Sequence, residues 1–320
     1  MSPILLTPEG APAIYLHHVV LWAGIVLCAA WACASLCKKT FSGRTSVLFV
    51  SLSVLLGFFC AHLGYGLLRI EYALYDRSPL WLVTFWDGGY MLYGGLLGVV
   101  LAAFIAAKAS RASAVKLMDA VAPAGALMIA FARLAEGLSG AFFGDYVEEG
   151  TALARFPFAV YDSYYEGWSV AVFMAAVVIA LILTVFLLIK KPAFAGDRTL
   201  LLLGLYASAQ VVLESMRFDD FLRWGFIRCS QVFSAVVLAF VLLAYCRRAC
   251  GRFAKKRIAV WCTFAVCAAL VLVLEFAVDG KIEFLSFLTP ASCHALMAIV
   301  CAVFAALILT MRRISLAKAE

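Results

Sequence analysis

The sequence predicts an all-α fold: a polytopic transmembrane helical bundle of about nine spans, with its N-terminus outside and its C-terminus cytoplasmic. Three observations carry that expectation. Of the 320 residues, 66% are hydrophobic, well above the roughly 45–50% apolar usage of soluble domains. Apolar runs recur along the chain, and each is long enough to cross a hydrocarbon core about 30 Å thick as a helix. The basic residues are sorted into alternate connections: Lys38, Lys39 and Arg44; Lys108, Arg111 and Lys116; Lys190, Lys191 and Arg198; the run Arg247 to Arg257; and Arg312, Arg313 and Lys318. The positive-inside rule makes those connections cytoplasmic. The net charge of +7 therefore reflects sidedness, and nucleic acid is excluded as a partner.

The spans are expected over 14–36, 47–68, 88–107, 117–135, 167–189, 199–216, 229–246, 258–278 and 292–311. No Lys or Arg precedes the first run, so that helix is expected to remain a span rather than a cleaved signal. Tyr15, His17 and His18 near its outer end read as an interfacial anchor. The second span ends CAHLGYGLLRIEY, where His62 is either a packing residue or a proton carrier.

The stretch WDGGYMLYGGLLG opens the third span. Its glycines, Gly88, Gly89, Gly94, Gly95 and Gly98, allow a backbone or a lipid headgroup to approach closely. Gly94 and Gly98 also form a GxxxG pair, and helix packing is the favoured reading on spacing alone. In the fourth span Asp119 lies near the start, Pro123 and Gly125 follow, and Arg133 and Glu136 share one face three residues apart. A charge there costs about 2.5–3.5 kcal/mol on insertion scales, which makes it a functional hypothesis. Either the two side chains neutralise each other, or Arg133 receives a phosphate on its planar fork of donors.

Residues 136–166 form the longest outer segment, with Gly137, Gly140, Gly144, Asp145, Glu148, Glu149 and the aromatic FPFAVYDSYYEGW. The segment is expected to lie along or dip into the outer interface. The sixth span carries Tyr206, Gln210, Glu214 and Arg217 at helical spacing, a second polar stripe. In the loop after it, Asp219, Asp220 and Arg223 are expected to be a solvated rim, and Gln231 begins the seventh span. The last two spans, joined by a hairpin with Asp279, Lys281 and Glu283, read as apolar and poor in polar residues, a structural or partner-binding appendage. Two regions are thus expected: residues 1–247, seven spans, and residues 248–320, a basic linker with two more. The 11 cysteines are scattered singly and read as small buried hydrophobes; a Cys229–Cys293 bridge is disfavoured. No cofactor or metal is expected. A transporter is disfavoured because the halves do not repeat and the polar residues cluster toward one surface.

The polar constellation over roughly residues 12–247 resembles the bacterial prolipoprotein diacylglyceryl transferase family. GGYMLYGGLLG resembles that family's GGxSxHGGLxG; Asp119, Pro123 and ARLAEGLSGAFFG resemble its acid, proline and GRIGNFxNGExxG signature. FPFAVYDSYYEG is similar to HPSQLYExxxEG, and YASAQVVLESMRFDD with CSQVFS is similar to YGxxRxxxExxRxPD with GQxLS. The resemblance implies transfer of a diacylglyceryl group from phosphatidylglycerol to the lipobox cysteine of a prolipoprotein signal peptide. That reaction takes place at the outer face of the bacterial cytoplasmic membrane and releases glycerol phosphate. It also implies that Arg133 binds the phosphate, that Tyr206 lines the lipid site, that Glu214 and Arg217 complete the stripe, and that Gly94, Gly95, Gly140 and Gly144 match signature glycines. Val19 lies where the family often has Tyr, and three further positions depart. Tyr93 stands in place of a His, Glu136 in place of an Asn, and Gln210 in place of an Arg. A phenol of pKa about 10 is a poor base, so Glu136 or a His of the first two spans is left to take the thiol proton. The alternative is a family relative with an altered lipid or acceptor, or a non-catalytic lipid-binding membrane protein.

Overall fold

The computed structural model describes residues 4–6, 14–39, 41–86, 88–151, 154–155, 158–161, 167–219, 221–225, 227–249 and 254–316. Asp220, Lys318, residues 156–157 and 162–166 of the aromatic stretch, and residues 250–253 of the basic run lie outside them. Among the described residues the helices are α1 (Leu16–Lys38), α2 (Gly43–Leu68), α3 (Leu92–Ser110), α4 (Ala114–Ser139), α5 (Ala171–Ile189), α6 (Asp197–Ser215), α7 (Cys229–Arg248), α8 (Ala254–Val278) and α9 (Pro290–Leu316). The protein is a helical polytopic membrane protein. Eight of these helices are long and apolar enough to cross a bilayer. The exception is α6, a helix of 19 residues whose composition is diluted by Tyr206, Gln210 and Glu214. Large apolar side chains stand exposed along the others, among them Trp22, Leu97, Phe104, Ile182 and Phe240, as a lipid-facing surface requires.

The chain divides into two compact units. One comprises residues 22–128 and 187–199, and the other comprises residues 1–21, 129–186 and 200–320. In the first, α2 and α3 pack along their lengths. A Cβ on Gly94 would meet the Cys60 carbonyl of α2, and one on Gly98 would meet that of Leu56. The GxxxG spacing therefore serves close helix contact, with Gly95 beside Gly57 and Ala61. Leu36, Phe49, Ala102, Ala103, Ala106, Leu117 and Ala120 form the core behind it. Buried Asp119 accepts hydrogen bonds from Gly196 N at 2.7 Å, Thr199 N at 2.9 Å and Thr199 Oγ1 at 3.0 Å. It thus satisfies first-turn donors of α6 that the helix leaves open. Close by, Lys39, Arg111 and Lys116 edge a cavity of about 640 Å³. Partial burial, then Arg198, lower the Lys39 pKa, and Asp119 opposes both.

In the second unit, α7 and α9 pack together, as do α8 and α9, and Gly204 of α6 lets Ile308 of α9 approach. Between α4 and α5 the chain turns through Gly140 (φ +85°) into an antiparallel pair, β1 (Ala159–Tyr161) with β2 (Gly167–Ser169). Phe142, Val170, Val172, Phe173, Ala176 and Leu213 make the core beneath that pair. The ten described cysteines are free, Cys229 and Cys293 included.

Candidate functional site

Arg133 and Glu136 lie in the last two turns of α4, and Tyr206, Gln210 and Glu214 on the second half of α6, with Arg217 just beyond its end. All six belong to the second unit, where the ends of α4 and α6 bring them together. Arg133 is held from three sides: its Nε donates to Tyr206 Oη at 2.9 Å, its Nη1 contacts Glu136 Oε2 at 2.5 Å, and its Nη2 lies 3.7 Å from Glu214 Oε1. Arg217 Nη1 donates to the other oxygen of Glu136 at 3.0 Å and lies 3.6 Å from Glu214 Oε1. One carboxylate thus bridges two guanidiniums. Gln210 Nε2 donates to Glu214 Oε1, while Gln210 Oε1 and Glu214 Oε2 are buried acceptors that find no hydrogen bond among the described residues. An unmet buried acceptor is costly, so these two atoms suit a ligand that brings hydroxyl donors.

Two side chains that sequence reasoning passed over complete the cluster. The first is Phe142, fully buried, with Arg133 4.7 Å from its ring centroid and Arg217 4.6 Å. A ring in contact with both guanidiniums adds a cation–π attraction to each. Only the position of Phe142 after Gly140 hinted at this. The second is Asp219, which corrects the expectation of a solvated rim. It accepts from Arg217 Nε at 2.8 Å and Nη2 at 2.6 Å, a bidentate pair that its spacing of two residues from Arg217 could have signalled. Arg223 is likewise no free rim charge, since it pairs with Asp279 at 2.6 Å.

Arg228, at the start of α7, donates to the Arg217 and Asp219 carbonyls. Burial lowers its pKa, and Glu214 and Asp219 only partly oppose that. For Arg217 burial pulls the same way, but Glu214, Glu136 and Asp219 reverse the shift and raise it. Arg217 is therefore a permanent cation. The cluster balances Arg133, Arg217 and Arg228 against Glu136, Glu214 and Asp219. Glu136, with 25% of its side chain exposed against 1% for Glu214, is the more open of the two carboxylates beside Arg133.

Gly140 and Gly144 shape the turn beside the cluster. Gly144 N donates to Ser169 O at 2.8 Å, and its Cα faces Ser169 and the Met216 carbonyl. Tyr93, Gly94, Gly95 and His62 belong to the other unit. Tyr93 is buried on the first turn of α3. His62, fully buried, directs Nδ1 at Gly88 O and Nε2 at Trp81 O, both at 2.7 Å. Both ring nitrogens of His62 are engaged in pinning the 81–89 loop to α2, which is the packing reading of that residue. Along the segment between α4 and α5, Tyr146, Phe158 and Tyr161 are exposed, and Trp168 meets Phe218 with ring centroids 4.8 Å apart and planes tilted by 47°.

Comparison with known proteins adds an independent line. A model of the family described as prolipoprotein diacylglyceryl transferase matches residues 3–247. Among similar proteins is the phosphatidylglycerol–prolipoprotein diacylglyceryl transferase of Wolbachia pipientis, 24% identical over 81% of this chain and 99% of its own length. Proteins of the same name from Hydrogenovibrio crunogenus and Acinetobacter baumannii are 26% and 28% identical, over 62% and 68% of this chain and 75% and 85% of their own lengths.

Proposed function

This chain belongs to the prolipoprotein diacylglyceryl transferase family, and from that premise we infer that it moves a diacylglyceryl group from phosphatidylglycerol to the lipobox cysteine of a prolipoprotein. The observation that carries the reading is Arg133: a buried guanidinium in a membrane-length helix, aimed by Tyr206 and Glu214 and shared with a more exposed carboxylate. The chemistry breaks the bond between the diacylglyceryl carbon and a phosphate oxygen and forms a carbon–sulfur bond. Negative charge grows on the departing glycerol phosphate, and Arg133 is the fixed cation to receive it. The thiol proton must leave before or during attack, because the thiolate is the nucleophile. Glu136 takes that proton as the phosphate displaces it from Arg133. Gln210 Oε1 and Glu214 Oε2, buried acceptors without hydrogen bonds among the described residues, accept from the glycerol hydroxyls of the headgroup. Gly94 and Gly95 act through packing of α3 on α2, and Gly140 and Gly144 through the turn beside Phe142.

Residues 1–247 carry this activity in the bacterial cytoplasmic membrane, with the site at the outer face. The basic loops support that orientation. The ninth crossing is α6, whose polar side chains are tolerated because they are buried on protein partners instead of lipid.

The test is transfer from phosphatidylglycerol to a lipobox peptide by the purified protein in proteoliposomes. Arg133→Ala is expected to lose about a hundredfold or more in rate, the usual cost of removing a charge-stabilising donor. Absence of transfer by folded wild-type protein overturns the reading.

A second reading is favoured by the charge balance. Glu136 and Gln210 leave Arg133, Arg217 and Arg228 matched by three carboxylates, so the cluster offers an anionic phosphodiester little net attraction. A relative acting on a zwitterionic donor follows from that balance. Transfer from phosphatidylethanolamine exceeding that from phosphatidylglycerol would establish it.

A further inference from the structure

Two helices follow the region that the family model matches, and one of them carries a charge into the interior of the second unit. Glu275 lies near the end of α8 and is 6% exposed, on a helix otherwise apolar enough to span a bilayer. A carboxylate at that depth needs partners. Its Oε1 accepts from Gln231 Nε2. Gln231, in the first turn of α7, also donates to Val211 O of α6 at 3.2 Å. The Oε1 of Gln231 accepts from Arg228 N at 3.3 Å. The Arg228 guanidinium donates to Arg217 O and Asp219 O, each at 2.5 Å, and Arg217 reaches Glu136, which reaches Arg133.

We propose that Glu275 is a positioning residue for the transferase site: by holding Gln231 it fixes Arg228, and through Arg228 the backbone at Arg217 and Asp219 from which the Arg217–Glu136–Arg133 triad is aimed at the lipid phosphate. The role rests on the transferase reading given above. It makes the C-terminal helices part of the site's support rather than an appendage. The same helices hold the loop at a second point, Arg223 with Asp279 at 2.6 Å, a side-chain pair one helical turn from Glu275 that makes none of the relay's side-chain hydrogen bonds and so supplies a control for docking of the extension.

The test uses the full chain in proteoliposomes with phosphatidylglycerol and a lipobox peptide. Glu275→Leu is expected to lower kcat roughly 10- to 100-fold, the scale of a misplaced reacting group, in protein that remains folded. Glu275→Gln keeps an acceptor oxygen and the volume, and retains most of the rate. Gln231→Leu reproduces the loss, and the double variant loses no more than either single one, as members of one relay do. Asp279→Asn leaves transfer within about twofold, being outside the relay. A wild-type rate in Glu275→Leu, additive losses, Glu275→Gln as impaired as Glu275→Leu, or equal loss in Asp279→Asn each overturns the proposal.

Hydrogen exchange, read on the same proteins, needs no turnover. The Phe218 amide bonds to Phe143 O and the Cys229 amide to Leu222 O, and Glu275→Leu should expose both. If wild-type protein transfers nothing, the transferase reading fails. Unchanged exchange in Glu275→Leu separately sinks the positioning role.

Discussion

Phe142 packs against two guanidiniums, and nothing in the chain but its position after Gly140 marks it for that place. Its ring faces Arg133 and Arg217 at 4.7 and 4.6 Å. Replacement by leucine keeps an apolar filler but removes both ring contacts. Each is worth about 0.5–2 kcal/mol, so Phe142→Leu is expected to destabilise the protein by about 1–2 kcal/mol and to raise KM for the lipid. Thermal unfolding in detergent and lipid titration of the transfer rate check the two effects; unchanged values in both would show the ring to be passive packing. Arg133, Glu136, Tyr206, Gln210 and Glu214 were legible at this scale, because charged and polar groups inside apolar spans are rare enough to stand out. Asp219 was not, since a loop acid beside two other charges looks like solvated surface until its bidentate geometry with Arg217 is seen. Glu275 was passed over with the last two spans, which read as poor in polar residues, although a lone carboxylate in an apolar span falls under the same rule as Arg133; its partner Gln231 is 44 residues away in sequence.

At the scale of elements, helix periodicity places the polar stripe of α6 on one face, and the stripe meets the end of α4 as that face requires. The glycine spacing of α3 is similarly legible: a GxxxG pair predicts close contact, and α2 is the partner. Gly98→Ala would drive a Cβ into the Leu56 carbonyl, which belongs to helix backbone and gives way poorly. Gly95→Ala meets only ordinary contacts, at 3.5 and 3.6 Å from Gly57 O and Ala61 Cβ. The first change is expected to cost about 1–3 kcal/mol and the second to be near neutral, as read from unfolding midpoints in detergent. Equal midpoints would show that α2 and α3 can part without penalty. The short pair β1–β2 was not legible, because three-residue strands are too brief to show alternation.

For the whole molecule, the prediction concerns sidedness. With α6 counted as a crossing, a C-terminal reporter should be active only in the cytoplasm, and an N-terminal one only outside. A C-terminal reporter found outside would remove α6 from the crossings and overturn the assigned orientation. The chain's composition decided the fold class, the approximate spans and the sorting of basic loops, because transfer of a segment into lipid depends on the sum of its own side chains and needs no knowledge of neighbours. The tertiary structure decided which polar side chains meet. Arg133 with Tyr206, Arg217 with Glu136, and Gln231 with Glu275 are separated by 73, 81 and 44 residues. A hydrogen bond acts over about 3 Å, so only the packing of α4, α6, α7 and α8 can bring such partners within reach.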